Sequence, residues 1–544
     1  MAIREQLNSI AKKRILILDG AMGSLIKVLN LDEKNFRGEA FADHPVPLDG
    51  CNDLLCLTRP GAIAAIHDTY LEAGADIIES CSFNSTSITL SDYGLGDMAY
   101  KISAAAAGIA RKSADKFSSG EKPRFVAGSI GPTAKGASLY PDINNPGKRS
   151  ILWDELESAF YDNARGLLDG GADILLVETV FDTLNAKAAL FAISRLIEER
   201  HIDVPIMISA TITGESGRLL SGQNLEAFCA SVLYAKPWSV GLNCFFNAQN
   251  PLPHLRLLAE TLPCFVSAYP NAGLPNQFGR YEETPDIMAA DIEKYFEEGL
   301  INIAGGCCGS TPAHIAAIAE KAAVYEPRSG SSEPHVSSIS HNRYFSGLEP
   351  FYISDNTIHL TDETTEDLLN DKEELLRSIN KGEYEEAADI ARDIIEGDEE
   401  FLTIRSNDEE AIGKFLDYAL MNPYVAKAPF FIYSSSLNVL ETGLKRLQGR
   451  GLAGPVNLKD GEAEFIRKAR LIRRYGAAAV VTLTDEQGQA ETSERKIEMA
   501  KRIYQLLKEN DYPAENIVFY PDLKEREDVV SWIRNNCPGV IIAI

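Results

Sequence analysis

Asn302-Ile303-Ala304-Gly305-Gly306-Cys307-Cys308-Gly309 carries a short apolar run into two glycines and two adjacent thiols, and a helical pattern begins soon after at Pro312. Neighbouring residues on a strand point to opposite faces, so a buried strand has little use for two cysteines side by side. Glycines just before them allow the backbone to bend until both sulfurs turn toward one point. Cys244 closes another apolar run, Val240-Gly241-Leu242-Asn243-Cys244. Three thiolates at one end of a sheet, with a fourth position open, match the donor pattern of a catalytic zinc centre, whereas structural zinc sites close with four protein ligands. The plainer reading is three unrelated buried thiols.

Outward from that stretch, the same strand, turn and helix unit recurs from Arg14 onward. The strand-like runs are Ile15 to Leu18, Ala75 to Ile78, Phe125 to Gly128, Ile174 to Val177, Pro205 to Ile208, Trp238 to Leu242, Cys264 to Ala268 and Leu300 to Ala304. Amphipathic stretches such as Ala186 to Ile197 separate them. Continuous rather than alternating apolar runs imply burial on both faces, as in a parallel sheet. Eight such units predict an α/β fold, a (β/α)8 TIM barrel, with a doubly wound open sheet as the alternative. The polar and glycine-rich stretches all follow strands, among them Asp19-Gly20-Ala21-Met22-Gly23, Glu79-Ser80-Cys81-Ser82-Phe83-Asn84 and Glu178-Thr179-Val180-Phe181-Asp182. A barrel gathers them on its C-terminal face, where barrel enzymes keep their active sites. Asp19 and Glu178 are acids at strand ends, costly to bury without a cationic partner. Each reads either as a turn or cap residue or as a ligand for an ammonium group.

A net charge of −26 over 544 residues argues against nucleic acid or an anionic membrane as the main partner. Nine cysteines, an odd count behind an N-terminus without a signal-like apolar segment, point to a reducing compartment, and the cytoplasm is the expected location. No apolar run approaches the roughly 20 residues that a membrane helix needs, so no membrane role is expected. Cys51, Cys56, Cys81, Cys229, Cys264 and Cys537 read as structural thiols, Cys81 being the first exception to consider. The histidines stand alone or on helical patterns.

Residues 1–326 form the expected barrel, and residues 327–342, rich in serine and without periodicity, a linker. Residues 343–544 hold a second βα array, with runs at Thr357 to Leu360, Glu400 to Ile404, Phe430 to Ile432, Val456 to Leu458, Ala478 to Leu483, Ile517 to Phe519 and Gly539 to Ile544. No eighth strand follows, so this TIM-barrel-like domain is expected to be incomplete or divergent, with exposed edges.

At this point the motifs carry a resemblance. Asp19 to Gly23, Phe36-Arg37-Gly38-Glu39, Asn52-Asp53-Leu54-Leu55, Phe83-Asn84-Ser85-Thr86, Val177 to Lys187, Ser221-Gly222-Gln223, Gly241 to Cys244, Pro270 to Pro275 and Gly305 to Gly309 span nearly all of residues 10 to 326. They resemble the homocysteine-binding module of cobalamin-dependent methionine synthases, within the homocysteine S-methyltransferase family. The resemblance implies a zinc ion on Cys244, Cys307 and Cys308, which would be the catalytic centre. It also implies homocysteine as substrate, bound by Asp19, Glu178 and Asn243.

The second array is similar to the pterin-binding domain of those enzymes at Gly347-Leu348-Glu349-Pro350, Leu471 to Ala479 and Asp485 to Ala490. It departs from it elsewhere. Glu363-Thr364-Thr365-Glu366-Asp367 stands in place of a Gly-Glu-Arg-Thr-Asn-type loop, Tyr433 in place of an acid after the third strand, and Tyr520-Pro521-Asp522 in place of an Asp-Pro-Asn turn. Loss of groups that hydrogen-bond a pterin is expected to abolish or greatly weaken folate binding. No histidine lies in a cobalamin-binding Asp-x-His-x-x-Gly context. The expected activity is therefore zinc-dependent methylation of homocysteine to methionine, with methylcobalamin supplied in trans by a separate corrinoid protein. Two alternatives stand: a corrinoid-independent enzyme using a small sulfonium or quaternary ammonium donor, and a non-enzymatic role for the second domain as a docking platform.

Overall fold

The computed structural model describes residues 2–142, 144–145, 147–212, 216–245, 251–277, 279–329, 344–360, 366–397, 399–521 and 526–544. They fall into two compact units that interleave in sequence. The first is Met1–Gly136, Asp154–Leu220 and Lys236–Ser338, and the second is Ala137–Trp153, Ser221–Ala235 and Ile339–Ile544. Most of the stretch read as a linker lies outside the described residues. Arg328, at its start, is buried, and its guanidinium donates to the carbonyls of Ala259, Leu262 and Cys264.

In the first unit eight strands form one parallel sheet. They are β1 (Leu16–Ile17), β2 (Ile77–Glu79), β3 (Phe125–Ile130), β4 (Ile174–Val180), β5 (Ile206–Ala210), β6 (Ser239–Asn243), β7 (Phe265–Tyr269) and β8 (Ile303–Ala304). The order is β1-β8-β7-β6-β5-β4-β3-β2. A bridge between Leu18 and Ile77 joins the two ends, with Asp19 N donating to Ile77 O at 3.0 Å and Asp76 N to Ile17 O at 2.7 Å. Each predicted run lies on one of these strands, because every run is apolar on both faces: Leu16, Ile77, Phe125, Ile174, Met207 and Ile303 fill one core while helices cover the outside. At the N-terminal end of the barrel, the buried carboxylate of Asp76 takes hydrogen bonds from Arg14 at 2.6 and 2.9 Å and from Arg124 at 3.2 Å. That end holds an acid whose charge is fully matched.

The second unit contains a hairpin of β9 (Tyr344–Ser346) and β10 (Pro350–Tyr352). Its main sheet is built from β11 (Thr357–Ile358), β12 (Leu402–Arg405), β13 (Phe430–Tyr433), β14 (Leu452–Val456) and β15 (Ala478–Thr482). A two-stranded ribbon, β16 (Thr484–Asp485) with β17 (Gly488–Gln489), precedes the last members, β18 (Ile517–Tyr520) and β19 (Ile541–Ala543). The seven-stranded order is β11-β19-β18-β15-β14-β13-β12, all parallel, a curled half-barrel with β11 and β12 as edges. One boundary differs from expectation. Residues Leu452–Val456 form the strand, whereas Leu458–Asp460 is a short turn of helix. Gly454 and Pro455 disfavour a central strand, but they sit where the register between β14 and β15 shifts, so no regular ladder bond is forfeited there.

Candidate metal centre and acid cluster

The turn after β8 places Cys307 and Cys308, and the turn after β6 places Cys244. Their three Sγ atoms lie within 4.8 Å of one another, so they could hold a metal ion. Backbone bonds fix them: Cys307 N donates to Pro270 O at 2.7 Å, Cys308 N to Asn271 Oδ1 at 3.0 Å, and Cys244 N to Tyr269 O at 3.3 Å. Cys244 has φ +57°, a left-handed conformation that costs a β-carbon-bearing residue of order 1–3 kcal/mol. The glycines act differently from expectation. Gly305 and Gly306 do not adopt positive φ; they are glycine for space, since a Cβ would lie 2.8 Å from Leu18 Cβ or 2.5 Å from Ser310 Oγ. The positive φ, +81°, belongs to Gly309, where a Cβ would also strike Tyr281.

All nine cysteines are free. Hydrogen bonds from Cys244 and Cys307 push the Cys308 thiol down, while the same contacts push Cys307 up, as expected when three sulfurs share too few protons. Among the described residues no histidine joins the group. His314 instead hydrogen-bonds Thr311 and the Glu283 carbonyl, and His67 is buried in a helix. Cys56 and Cys81 are buried and do not belong to that group, the Cys56 thiol donating to Cys81 O at 3.4 Å.

Asp19 and Glu178 are both buried at the same end of the barrel. Asp19 Oδ2 accepts from Glu79 N at 3.1 Å and Glu178 Oε1 from the Ser129 hydroxyl. Asp19 Oδ1 and Glu79 Oε1 have no partner. Glu79, the last residue of β2, is thus a third acid that the sequence reading passed over, although it is the first polar residue after a buried run, as Glu178 is. Burial pushes all three carboxyls up, Glu178 to about 7, and mutual repulsion pushes Asp19 and Glu79 further. Among the described residues no cation offsets that repulsion.

Asn243 is fully buried between the two groups. Its Oδ1 accepts from Thr179 N at 3.1 Å and Ser209 Oγ at 2.8 Å; its Nδ2 donates to Thr179 Oγ1 at 2.8 Å and lies 3.9 Å from Cys307 Sγ. The amide ties β6 to β4 and β5, and all its hydrogen-bonding groups have protein partners. Thr179, which it pins, has φ +54° and directly follows Glu178.

The family model for homocysteine S-methyltransferase matches residues 16–322. Among solved structures, the oxidized form of the homocysteine methyltransferase MmuM from Escherichia coli is 22% identical, covers 59% of this chain and 99% of its own, and aligns with a TM-score of 0.46. The metallated form of the same protein has the same identity and coverage, with a TM-score of 0.45. A B12-independent methionine synthase from Shewanella sp. W3-18-1, in complex with selenomethionine, is 14% identical, covers 50% of this chain and 88% of its own, and has a TM-score of 0.29.

Proposed function

Because the chain belongs to the homocysteine S-methyltransferase family, and is therefore a methyltransferase acting on homocysteine, we propose that the transfer takes place at a zinc ion held by Cys244, Cys307 and Cys308. One observation carries the proposal: three thiols within 4.8 Å of one another, at the same end of a barrel as the buried Asp19 and Glu178 and the half-buried Glu79, which no cation among the described residues offsets. Three soft sulfur donors suit zinc rather than magnesium or calcium, which take oxygen ligands. Zinc bound there supplies the Lewis acidity that keeps a fourth sulfur ligand deprotonated near neutral pH.

The chain's own residues supply the rest. The ammonium group of homocysteine is the missing counter-charge for Asp19, Glu178 and Glu79, and binding it relieves their repulsion. Holding one end of the amino acid fixes where its sulfur can go, which converts an encounter into an oriented attack. The sulfur then forms its bond to the incoming methyl carbon as the bond to the donor breaks, giving methionine. Asn243 acts as a positioning residue: it holds Thr179 and, through it, the backbone beside Glu178. Ser129 keeps Glu178 aimed into the barrel.

For the donor we propose a methylcorrinoid carried by a separate protein, as in the methionine synthases whose modules this chain resembles, with the second unit contributing a docking platform rather than a folate site. Tyr433 and Tyr520 pack against the core of the curled sheet, and Arg405 lies over the Tyr433 ring at 5.2 Å. Both tyrosines thus take positions that carry an acid in the pterin-binding pattern. Glu363 to Thr365 and Asp522 lie outside the described residues. No described helix is long and apolar enough to cross a membrane.

The test is methyl transfer from free methylcobalamin to homocysteine by the zinc-loaded chain, beside the Cys307→Ala chain and with methyltetrahydrofolate titrated in parallel. Methionine formed only by the parent, without folate binding, is the expected result. Full activity in Cys307→Ala would remove the zinc centre from the mechanism. Methyl transfer from a sulfonium or quaternary ammonium compound but none from the corrinoid would replace the proposed donor.

A further inference from the structure

The second unit contains a cavity of about 280 Å³ that no step above uses. Its size is near the lower end of small-molecule sites, suited to a metabolite rather than a nucleotide cofactor. Arg149 and Arg446 line it, and both guanidinium groups rest on one carboxylate, that of Asp417: Arg149 at 2.8 and 3.2 Å, Arg446 at 3.1 and 3.5 Å. Arg149 and Asp417 are each only 8% exposed in their side chains. Two cations share one anion here, the buried Arg149, which also lies over the Tyr140 ring at 4.2 Å, and Arg446, whose side chain is 28% exposed, so the guanidinium groups outnumber the carboxylate at the cavity wall.

Beside that charge are two unsatisfied oxygens. Gln448 Oε1 and Ser221 Oγ line the same cavity, are shielded from solvent and have no hydrogen-bond partner. An amide oxygen can only accept, so the group that satisfies Gln448 must be a donor. Gln448 stands two residues beyond Arg446 in the turn after the helix Leu437–Leu444, so the anion and the donor it calls for are close together. The remaining wall is apolar, with Leu348, Leu420 and Phe430.

We propose that this cavity binds a neutral α-amino acid with an apolar side chain. The carboxylate meets Arg446 and Arg149, the ammonium group donates to Gln448 Oε1 and Ser221 Oγ, and the side chain lies against Leu348, Leu420 and Phe430. An inorganic anion answers the charge but leaves the amide oxygen and the apolar wall without a partner. An alkyl amine answers the amide and not the arginines. Only methionine's place as first probe rests on the function proposed above, of which it is the product; leucine is an equally apolar probe that owes nothing to that reading.

The experiment is calorimetric titration of L-methionine, L-leucine and inorganic phosphate into the full chain, repeated with Glu178→Gln, Gln448→Leu and Leu348→Trp. The expected result is a site for both amino acids that persists in Glu178→Gln, weakens about tenfold or more in Gln448→Leu, as loss of a hydrogen bond to a charged group implies, and disappears when Trp fills the cavity. Gln448→Leu keeps the test informative should Leu348→Trp fail to fold. Three results overturn the proposal: binding of neither amino acid, binding of phosphate alone, or methionine binding abolished by Glu178→Gln and unchanged in Gln448→Leu, which places that site in the barrel. Methyl transfer by the parent chain is read separately, so failure there leaves leucine binding to decide the cavity.

Discussion

The two parallel sheets are made from similar βα units, yet their C-terminal ends treat polar groups in opposite ways. At the mouth of the first, Asp19 Oδ1 and Glu79 Oε1 are buried with no partner among the described residues, and three Sγ atoms lie within 4.8 Å of one another. At the ends of the second sheet the polar groups are used up locally: Ser434 bonds Asn407 at 3.0 Å, Asn457 bonds Thr482 at 3.3 Å, and Asp485 pairs with Arg495 at 2.9 Å. A chain keeps uncompensated buried charge only where something else supplies the balance, since each such group costs stability. The contrast therefore separates a cluster of acids and thiols, which the proposed function assigns to a cationic, sulfur-bearing ligand, from strand ends whose polar groups pair locally.

The sharpest way to break that contrast is to remove a thiol. Cys308→Ala is expected to lower zinc affinity and methyl transfer by at least about a hundredfold, the scale on which even outer-shell changes act at metal sites; metal content by atomic absorption beside the rate checks it. Next comes the acid cluster. Glu178→Gln should raise KM for homocysteine by about 10- to 100-fold, the worth of a charged hydrogen bond, with little change for a thiol substrate lacking the amino group. Should KM for both rise equally, the acids do not hold the ammonium.

Packing at the glycines gives a smaller effect. Gly305→Ala would drive a Cβ against Leu18 and the Asp19 carbonyl, and a loss of about 1–3 kcal/mol in unfolding free energy by denaturant titration is expected. The acids also leave a signature in the stability of the ligand-free chain. A carboxyl whose folded pKa is raised contributes stability that is complete at low pH, below its unfolded value, and is lost as pH rises through the folded value. Glu178, raised to about 7, places that loss between about pH 4.5 and 7. Glu79→Gln, which removes one repelling neighbour, should raise the metal-free Tm by a few degrees at pH 8 and leave it unchanged at pH 4. The smallest expected effect is on the other side of the comparison: Tyr433→Ala leaves methyl transfer from free methylcobalamin within about twofold, because Tyr433 belongs to the second sheet and not to the site; a larger loss would make that sheet part of the catalytic unit.

Which parts were legible beforehand follows from how local each signal is. Eight apolar runs announced eight strands because burial on both faces of a strand shows directly in composition. Cys244, Cys307 and Cys308 were legible because cysteine is rare and two adjacent ones make a poor core strand. Glu79 was not, since Ile-Ile-Glu-Ser is also how any strand leaves a core, and only the closure of β1 against β2 brings it beside Asp19. Residues Leu452–Val456 were missed as a strand because Gly454-Pro455 violates a local rule that a register shift excuses.

By itself, then, the order of residues determined the strand count, the open second sheet and the three sulfur donors, all properties of short segments and their side-chain chemistry. Tertiary structure alone decided which charges find partners. Asp76 and Asp19 are both acids of the first barrel, but one meets Arg14 and Arg124 while the other faces Glu79 and Glu178. Gln448 and Ser221 became a candidate site in the same way, through a cavity wall drawn from segments more than 200 residues apart. Electrostatic compensation depends on distance and burial, and neither is set until the chain has closed on itself.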